Sequence, residues 1–248
     1  MATAGRLSNP PIKEALVDLR APVLGAFDQG MLSPLWPQLR ERYPKLEVRN
    51  QLQAQIEARA GQLPEAHASD LGFHALVLTS ADGSRLAQFR KDGFTLSQLA
   101  GYTTADDLFD EAFDLWRRFR ELVPRDKVSR VAVRYINRLL LPFQHNEPFE
   151  RFLIAPIVMP DGAPQVISEF LTRSVLQIDP ETQTVAIVTQ RLEASDGPST
   201  PFVLDLDVFR AGQFEPDDSL RDVLPNLRTI KNDLFFGLVT DEALQPYR

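Results

Sequence analysis

From residue 46 onward the chain alternates with a period of two. Leu46, Val48, Leu52, Ala54, Ile56 and Ala58 fall on one side, and Glu47, Arg49, Gln51, Gln53, Gln55 and Glu57 on the other. One apolar and one polar face mark a strand over 46–60, in a sheet covered on one side only. Similar short runs predict strands at 14–21, 73–80, 85–91, 94–96, 128–141, 165–178, 184–194 and 202–210. The turns between them are legible too. Ala81-Asp82-Gly83-Ser84 is a hairpin signal because glycine accepts positive φ, Lys91-Asp92-Gly93 turns again, and 194–201 reads as a hairpin loop. Pro10 and Pro11 hold the approach to the first strand extended.

Elsewhere the spacing changes to three and four. Leu32, Leu35, Trp36, Leu39 and Tyr43 predict a helix over 31–43, with Ser33 as cap and Pro34 in the first turn. Leu108, Ala112, Leu115, Trp116, Phe119 and Leu122 make the stripe of a long helix over 105–122, with Thr104 and Asp107 as a cap pair. A helical turn is expected near 147–152. A helical region over 218–237 kinks or restarts at Pro225, and Thr240 caps a last turn over 241–244.

These elements describe an α+β protein. Residues 9–125 and 126–248 each read as strand, helix, several antiparallel strands and long helix. The expectation is one structural unit over 1–248, made of two similar halves that join into one curved antiparallel sheet with the helices on one face. That order is similar to the saddle of the TATA-binding protein, a topological likeness that carries no function by itself.

Composition narrows the chemistry. At 248 residues the chain can bury a substantial core, and 44% hydrophobic with 25% charged residues excludes wholesale disorder. It has no cysteine, which removes disulfides, thiolate metal sites and a cysteine nucleophile. The first nine residues lack the basic start and apolar run of a secretory signal, and the longest apolar runs, at 139–142 and 153–159, fall far short of the roughly 20 residues a membrane helix needs. A cytoplasmic protein without membrane contact is expected. The net charge of −7 argues against non-specific phosphate-backbone binding, which rests on lysine and arginine.

Three groups carry candidate chemistry. Arg130, Arg134 and Arg138 share one side of a strand, while Tyr135 and Asn137 face the other way. The arginines form either an anion patch, which guanidinium forks suit, or solvent-facing partners of carboxylates on neighbouring strands. Asp205 and Asp207 project together, as a Mg²⁺ pair would, or simply form the wet face of a strand whose Phe202, Leu204, Leu206 and Val208 face the core. Glu14 opens an otherwise apolar strand and is expected to pair with Arg134 or Arg138. His67, His74 and His145 have no metal-ligand spacing, His74 reads as packed at a sheet edge, and no phosphate loop, dinucleotide fingerprint or nucleophile elbow is present. Phe143, Phe149 and Phe152 cluster as a partner surface or as buried packing.

Three motifs together carry a resemblance: Asn9-Pro10-Pro11-Ile12-Lys13-Glu14-Ala15, Arg134-Tyr135-Ile136-Asn137-Arg138, and Ile230-Lys231-Asn232-Asp233-Leu234-Phe235-Phe236 followed by Thr240-Asp241-Glu242. They resemble a sporadically distributed family of uncharacterised bacterial proteins of similar length. The resemblance implies a bacterial protein gained and lost easily, as accessory and defence genes are, and it implies no reaction. The family often has a histidine in its last helix, where this chain has Asn232. The leading expectation is a non-catalytic module that binds a protein partner or a small anionic ligand, with no cofactor and no metal. Its site residues would be Arg130, Arg134, Arg138, Glu14 and Asn137. The alternatives are a phosphate-processing enzyme using the arginine row with Asp205 and Asp207, and a nucleic-acid-binding saddle.

Overall fold

The computed structural model describes the chain except residues 26, 58–64, 103, 143–147, 155–156, 164–165, 196 and 198; for 52–57 and 65–70 it describes the backbone alone. Phe143, Glu147, His145 and the side chain of His67 therefore lie outside the described residues.

Among the described residues nine strands form one antiparallel sheet: β1 (Ile12–Arg20), β2 (Lys45–Glu57), β3 (Glu65–Thr79), β4 (Arg85–Arg90), β5 (Gly93–Gln98), β6 (Val128–Leu141), β7 (Phe170–Asp179), β8 (Thr184–Leu192) and β9 (Thr200–Phe214). Their order is β2-β3-β4-β5-β1-β6-β9-β8-β7. β1 and β6 meet at the centre, with Leu16 opposite Arg134 and Asp18 opposite Ala132. On either side the chain returns to this central pair by consecutive antiparallel neighbours, β2 to β5 on one flank and β7 to β9 on the other.

Two long helices cover one face. The first, α2 (Ala105–Leu122), follows a short α1 (Leu35–Leu39) and has the bounds its periodicity predicts. The Thr104 hydroxyl accepts a hydrogen bond from the Asp107 N–H at its start. Its stripe of Leu108, Ala112, Leu115, Trp116 and Phe119 is completely buried, against β1, β4 and β5. Each large apolar side chain buried this way stabilises the fold by roughly 1.5–3 kcal/mol. The second, α3 (Leu224–Leu238), lies over β6 and β9, has Pro225 in its first turn and follows a 3₁₀ segment at Asp218–Val223. Pro225 thus restarts the helix rather than kinking it. Thr240 caps the closing α4 (Asp241–Leu244), as its spacing predicts.

The region 31–43 departs from expectation. Instead of one helix there is a 3₁₀ turn at Gln29–Leu32, capped by Asp28, and then the five-residue α1, which contains Pro37 and has no side-chain cap. Prolines at 34 and 37 interrupt the ladder that a longer helix requires. Leu32, Leu35, Leu39 and Tyr43 are buried all the same, so the apolar spacing describes packing rather than helix length. Phe149 and Phe152 are buried in the second core cluster, which answers their two readings in favour of packing. His74 is half-buried in β3, one residue beyond the last β3–β4 pair, Ala75 opposite Arg90, and its carbonyl accepts a hydrogen bond from the Lys91 N–H.

Candidate functional site

The face of the sheet opposite the helices carries the arginine row, and its charges are paired. Arg134 makes two hydrogen bonds to Asp205, at 2.8 and 2.5 Å. Arg130 chelates Asp207 at 2.6 and 2.7 Å and also reaches Asp18 at 2.9 Å. Arg138 sits 3.3 Å from Glu193. Further along, Asp18 accepts from Arg90 and Thr95, each at 2.8 Å, and from Arg20 at 3.0 Å.

The protonation of these groups follows from their surroundings. Burial draws the Asp18 carboxyl upward, but Arg90, Arg20 and the hydrogen bonds outweigh it and hold it below its ordinary value. For Asp207 burial wins over Arg130 and Arg134, and its carboxyl is raised. The hydrogen bond to Asp205 raises the Arg134 guanidinium. Asp205 and Asp207 therefore meet the arginines, as partners that neutralise them. No group of three or more His, Asp or Glu suited to a metal ion occurs among the described residues.

Glu14 lies on this face in a shallow pocket with Leu16, Asp18, Arg130, Arg134 and Asp207. Its charge is felt by Arg134, yet it forms no ion pair with Arg134 or Arg138, whose forks are engaged by Asp205 and Glu193. That corrects the pairing its sequence position suggests: the cross-strand neighbours on β9 and β8 reach the arginines first.

The period of two along β6 sends Tyr135 and Asn137 to the helix side, so Asn137 is separated by the sheet from the arginines on either side of it. Both are buried, at 0% and 3% exposure. There they line or underlie a cavity of about 940 Å³ walled by residues 4–12, the start of α2 and one face of α3. The amino-terminal wall is tied at both ends. The Ala2 N–H donates to the Phe236 and Val239 carbonyls, and the Asn9 N–H to the Tyr247 carbonyl. The Arg138 N–H donates to the Pro11 carbonyl, anchoring the segment to β6. The three motifs of the resemblance thus converge here: Pro10, Pro11 and Ile12 from the first, Asn137 from the second, and Lys231, Asn232, Asp233, Phe235 and Phe236 from the third.

Lys231 is the unusual group. It occupies the buried stripe of α3 together with Leu224, Leu227 and Phe235, and is only 8% exposed. Its amine donates to Asn232 Oδ1 at 2.5 Å and stands 4.0 Å from the centre of the Tyr135 ring. It has no carboxylate partner among the described residues. Burial first, and the like charge of Arg228 second, push its amine down to about 7. Arg228 lines the same cavity and makes no ion pair or hydrogen bond among the described residues. Asp106 and Asp233 sit at the exposed rim and pair with neither cation. The Asn137 amide donates to the Tyr135 and Leu204 carbonyls, at 3.3 and 3.1 Å, while its Oδ1 accepts nothing among the described residues. Tyr102 and Tyr135 share a hydroxyl contact at 3.1 Å, and burial raises both phenols, so they stay protonated.

The arrangement joins three cations without an ion pair among the described residues, Lys231, Arg228 and Arg6, with a free amide acceptor and aromatic walls, in a space of the size that holds small ligands. Of the residues expected to form a site, Asn137 alone belongs to it. Lys231, which the sequence places only within the third motif, and Arg228 complete it. The available signal is a lysine four residues from Leu227 and four from Phe235, on the stripe that should be apolar. No protein-family model matches this sequence, and no curated protein matches it.

Proposed function

We propose that the protein is a binding module for a small anionic ligand, held in the cavity between the amino-terminal segment, β6 and α3. The observation that carries this reading is the pair Lys231 and Arg228, cations three residues apart on α3 that line one cavity and form no ion pair among the described residues, the lining carboxylates Asp106 and Asp233 included. Leaving buried charge unpaired is costly, and a bound anion removes that cost by pairing both. Asn137 Oδ1 adds an acceptor for a hydroxyl or amine on the ligand. Ile12, Phe235 and Phe236 supply apolar contact.

The open sheet face supports the phosphate-enzyme and nucleic-acid readings less well, because Arg130, Arg134 and Arg138 already hold carboxylates. The duplicated architecture remains part of the proposal, supported by the way the strand order runs inward on both flanks to β1 and β6. On the resemblance to the sporadically distributed bacterial family, such a ligand-reading module would serve an accessory or defence system.

Isothermal titration calorimetry of the full chain with acetate, glycolate, inorganic phosphate and neutral glycerol tests the reading. One or more of the anions should bind stoichiometrically, glycerol should not, and Lys231→Met should remove the binding. Equal or absent heats for all four compounds would overturn it.

A further inference from the structure

An amine that condenses with a carbonyl compound must be unprotonated and shielded from bulk water. It is best placed beside a second cation, which holds an acidic partner while discouraging protonation of the amine. Lys231 meets these demands geometrically. It sits on the core-facing stripe of α3, opens to a cavity of about 940 Å³, and has Arg228 three residues earlier on the same helix. A carboxylate partner, which would keep the amine charged, is missing from the described residues around it. Tyr135 lies flat beneath the nitrogen, leaving the cavity side for approach.

We propose that Lys231 captures a carbonyl-bearing anion, a 2-oxo acid or an aldehyde acid, as an imine within this cavity. The idea rests on the anion-binding reading and goes beyond it, since it names the ligand's reactive group and the bond formed. The Nζ lone pair attacks the carbonyl carbon as the carbonyl π bond breaks, and one nitrogen proton passes to the carbonyl oxygen to give a carbinolamine. The carbinolamine loses the hydroxyl with one nitrogen proton as water, and the C=N bond forms. Amine and carbonyl become imine and water, with no oxidant or reductant. The ligand's carboxylate pairs with Arg228, and Asn137 Oδ1 offers an acceptor in the same cavity. Near neutral pH about half of the amine is free, given its value of about 7. The charged and titratable groups around the cavity are Arg228 and Asp233 on α3, Tyr102 just before α2, Asp106 in its first turn, Tyr135 on β6 and Arg6 on the amino-terminal segment.

The chain has five lysines, so the test is simple to read. Full-length protein is incubated with glyoxylate near pH 7, reduced with cyanoborohydride, digested and mapped by mass spectrometry. One carboxymethyl group should appear on Lys231, ahead of the exposed Lys13, Lys45 and Lys91. Excess glycolate, which has the carboxylate without the carbonyl, should block the labelling, and Arg228→Gln should slow it while the protein keeps its circular dichroism spectrum. Lys231→Met should lose it. Calorimetric binding of glycolate with no adduct on Lys231 would overturn the imine and leave the anion site standing. Neither binding nor adduct would overturn both. Labelling spread evenly over the lysines would also sink the imine proposal, whatever the calorimetry shows.

Discussion

Replacing Lys231 by methionine should stabilise the protein, although it removes a hydrogen bond and a charge. Methionine keeps the unbranched stem and fills the same space between Leu227 and Phe235. What disappears is the cost of holding an ammonium in a site that is 8% exposed. The fall of the amine from its ordinary 10.5 to about 7 corresponds to roughly 5 kcal/mol at about 1.4 kcal/mol per pH unit. That figure already contains the cation–π contact with Tyr135 and the bond to Asn232, which act on the charged amine. A gain of several kcal/mol, at most about 5, is expected at about pH 6. The sign has a pH signature. Below about 7 the folded and unfolded chains both carry the proton, and the full penalty is present. Between about 7 and 10.5 the unfolded chain keeps a proton that the folded chain has released, so the native protein gains stability as pH rises. The advantage of the variant should therefore be greatest below neutrality and close toward pH 10.5. Urea unfolding followed by circular dichroism at several pH values measures it. A variant less stable than the native protein at pH 6, or a difference that ignores pH, would refute the reasoning.

Other consequences concern the rest of the sheet. Asp18→Asn leaves Arg90, whose side chain is 8% exposed, without its carboxylate and should cost about 3–5 kcal/mol in urea unfolding. Because the Asp18 carboxyl is held below 3.8, its contribution is complete above the ordinary carboxylate range and is lost as pH falls through the lowered value. Arg134→Gln should cost less than about 1 kcal/mol by the same measurement, because that side chain is 41% exposed and water screens the pair. Gly93→Ala should fail to fold or lose more than about 3 kcal/mol, since an added Cβ would lie 2.0 Å from the Leu19 carbonyl oxygen; thermal unfolding decides it. Arg125→Met removes the donor to the Ala21, Lys91 and Arg90 carbonyls and should destabilise by about 2–3 kcal/mol in urea unfolding.

Where one periodicity runs unbroken, the chain announces its structure. α2 and β6 have the bounds their spacing predicts, because each buries a continuous stripe or face with no proline inside it. The 31–43 segment misleads for the opposite reason: its apolar spacing is intact, but Pro34 and Pro37 break the backbone ladder beneath it. β3 and β9 run longer than their patterns suggest, since a strand continues wherever a neighbour accepts its hydrogen bonds, whatever its side chains. The pairing of Arg134 with Asp205 was open in the sequence, where same-side projection is visible and register is not; cross-strand register between β6 and β9 decides it. The cavity was invisible for a similar reason. It joins residues from the beginning, middle and end of the chain, and its walls depend on the amino-terminal segment being strapped to Phe236, Tyr247 and Arg138. A charged residue inside the α3 stripe was the one local clue.

The ionisation of Lys231 tests the cavity most directly. With lysine labelled at Cε and Nζ, the NMR titration of Lys231 in the full chain, assigned by its loss in Lys231→Met, should show a midpoint near 7. Saturating glycolate should shift that midpoint upward as the bound carboxylate stabilises the ammonium. A midpoint at the ordinary 10.5, unmoved by the anion, would contradict both the buried cation and the site built around it.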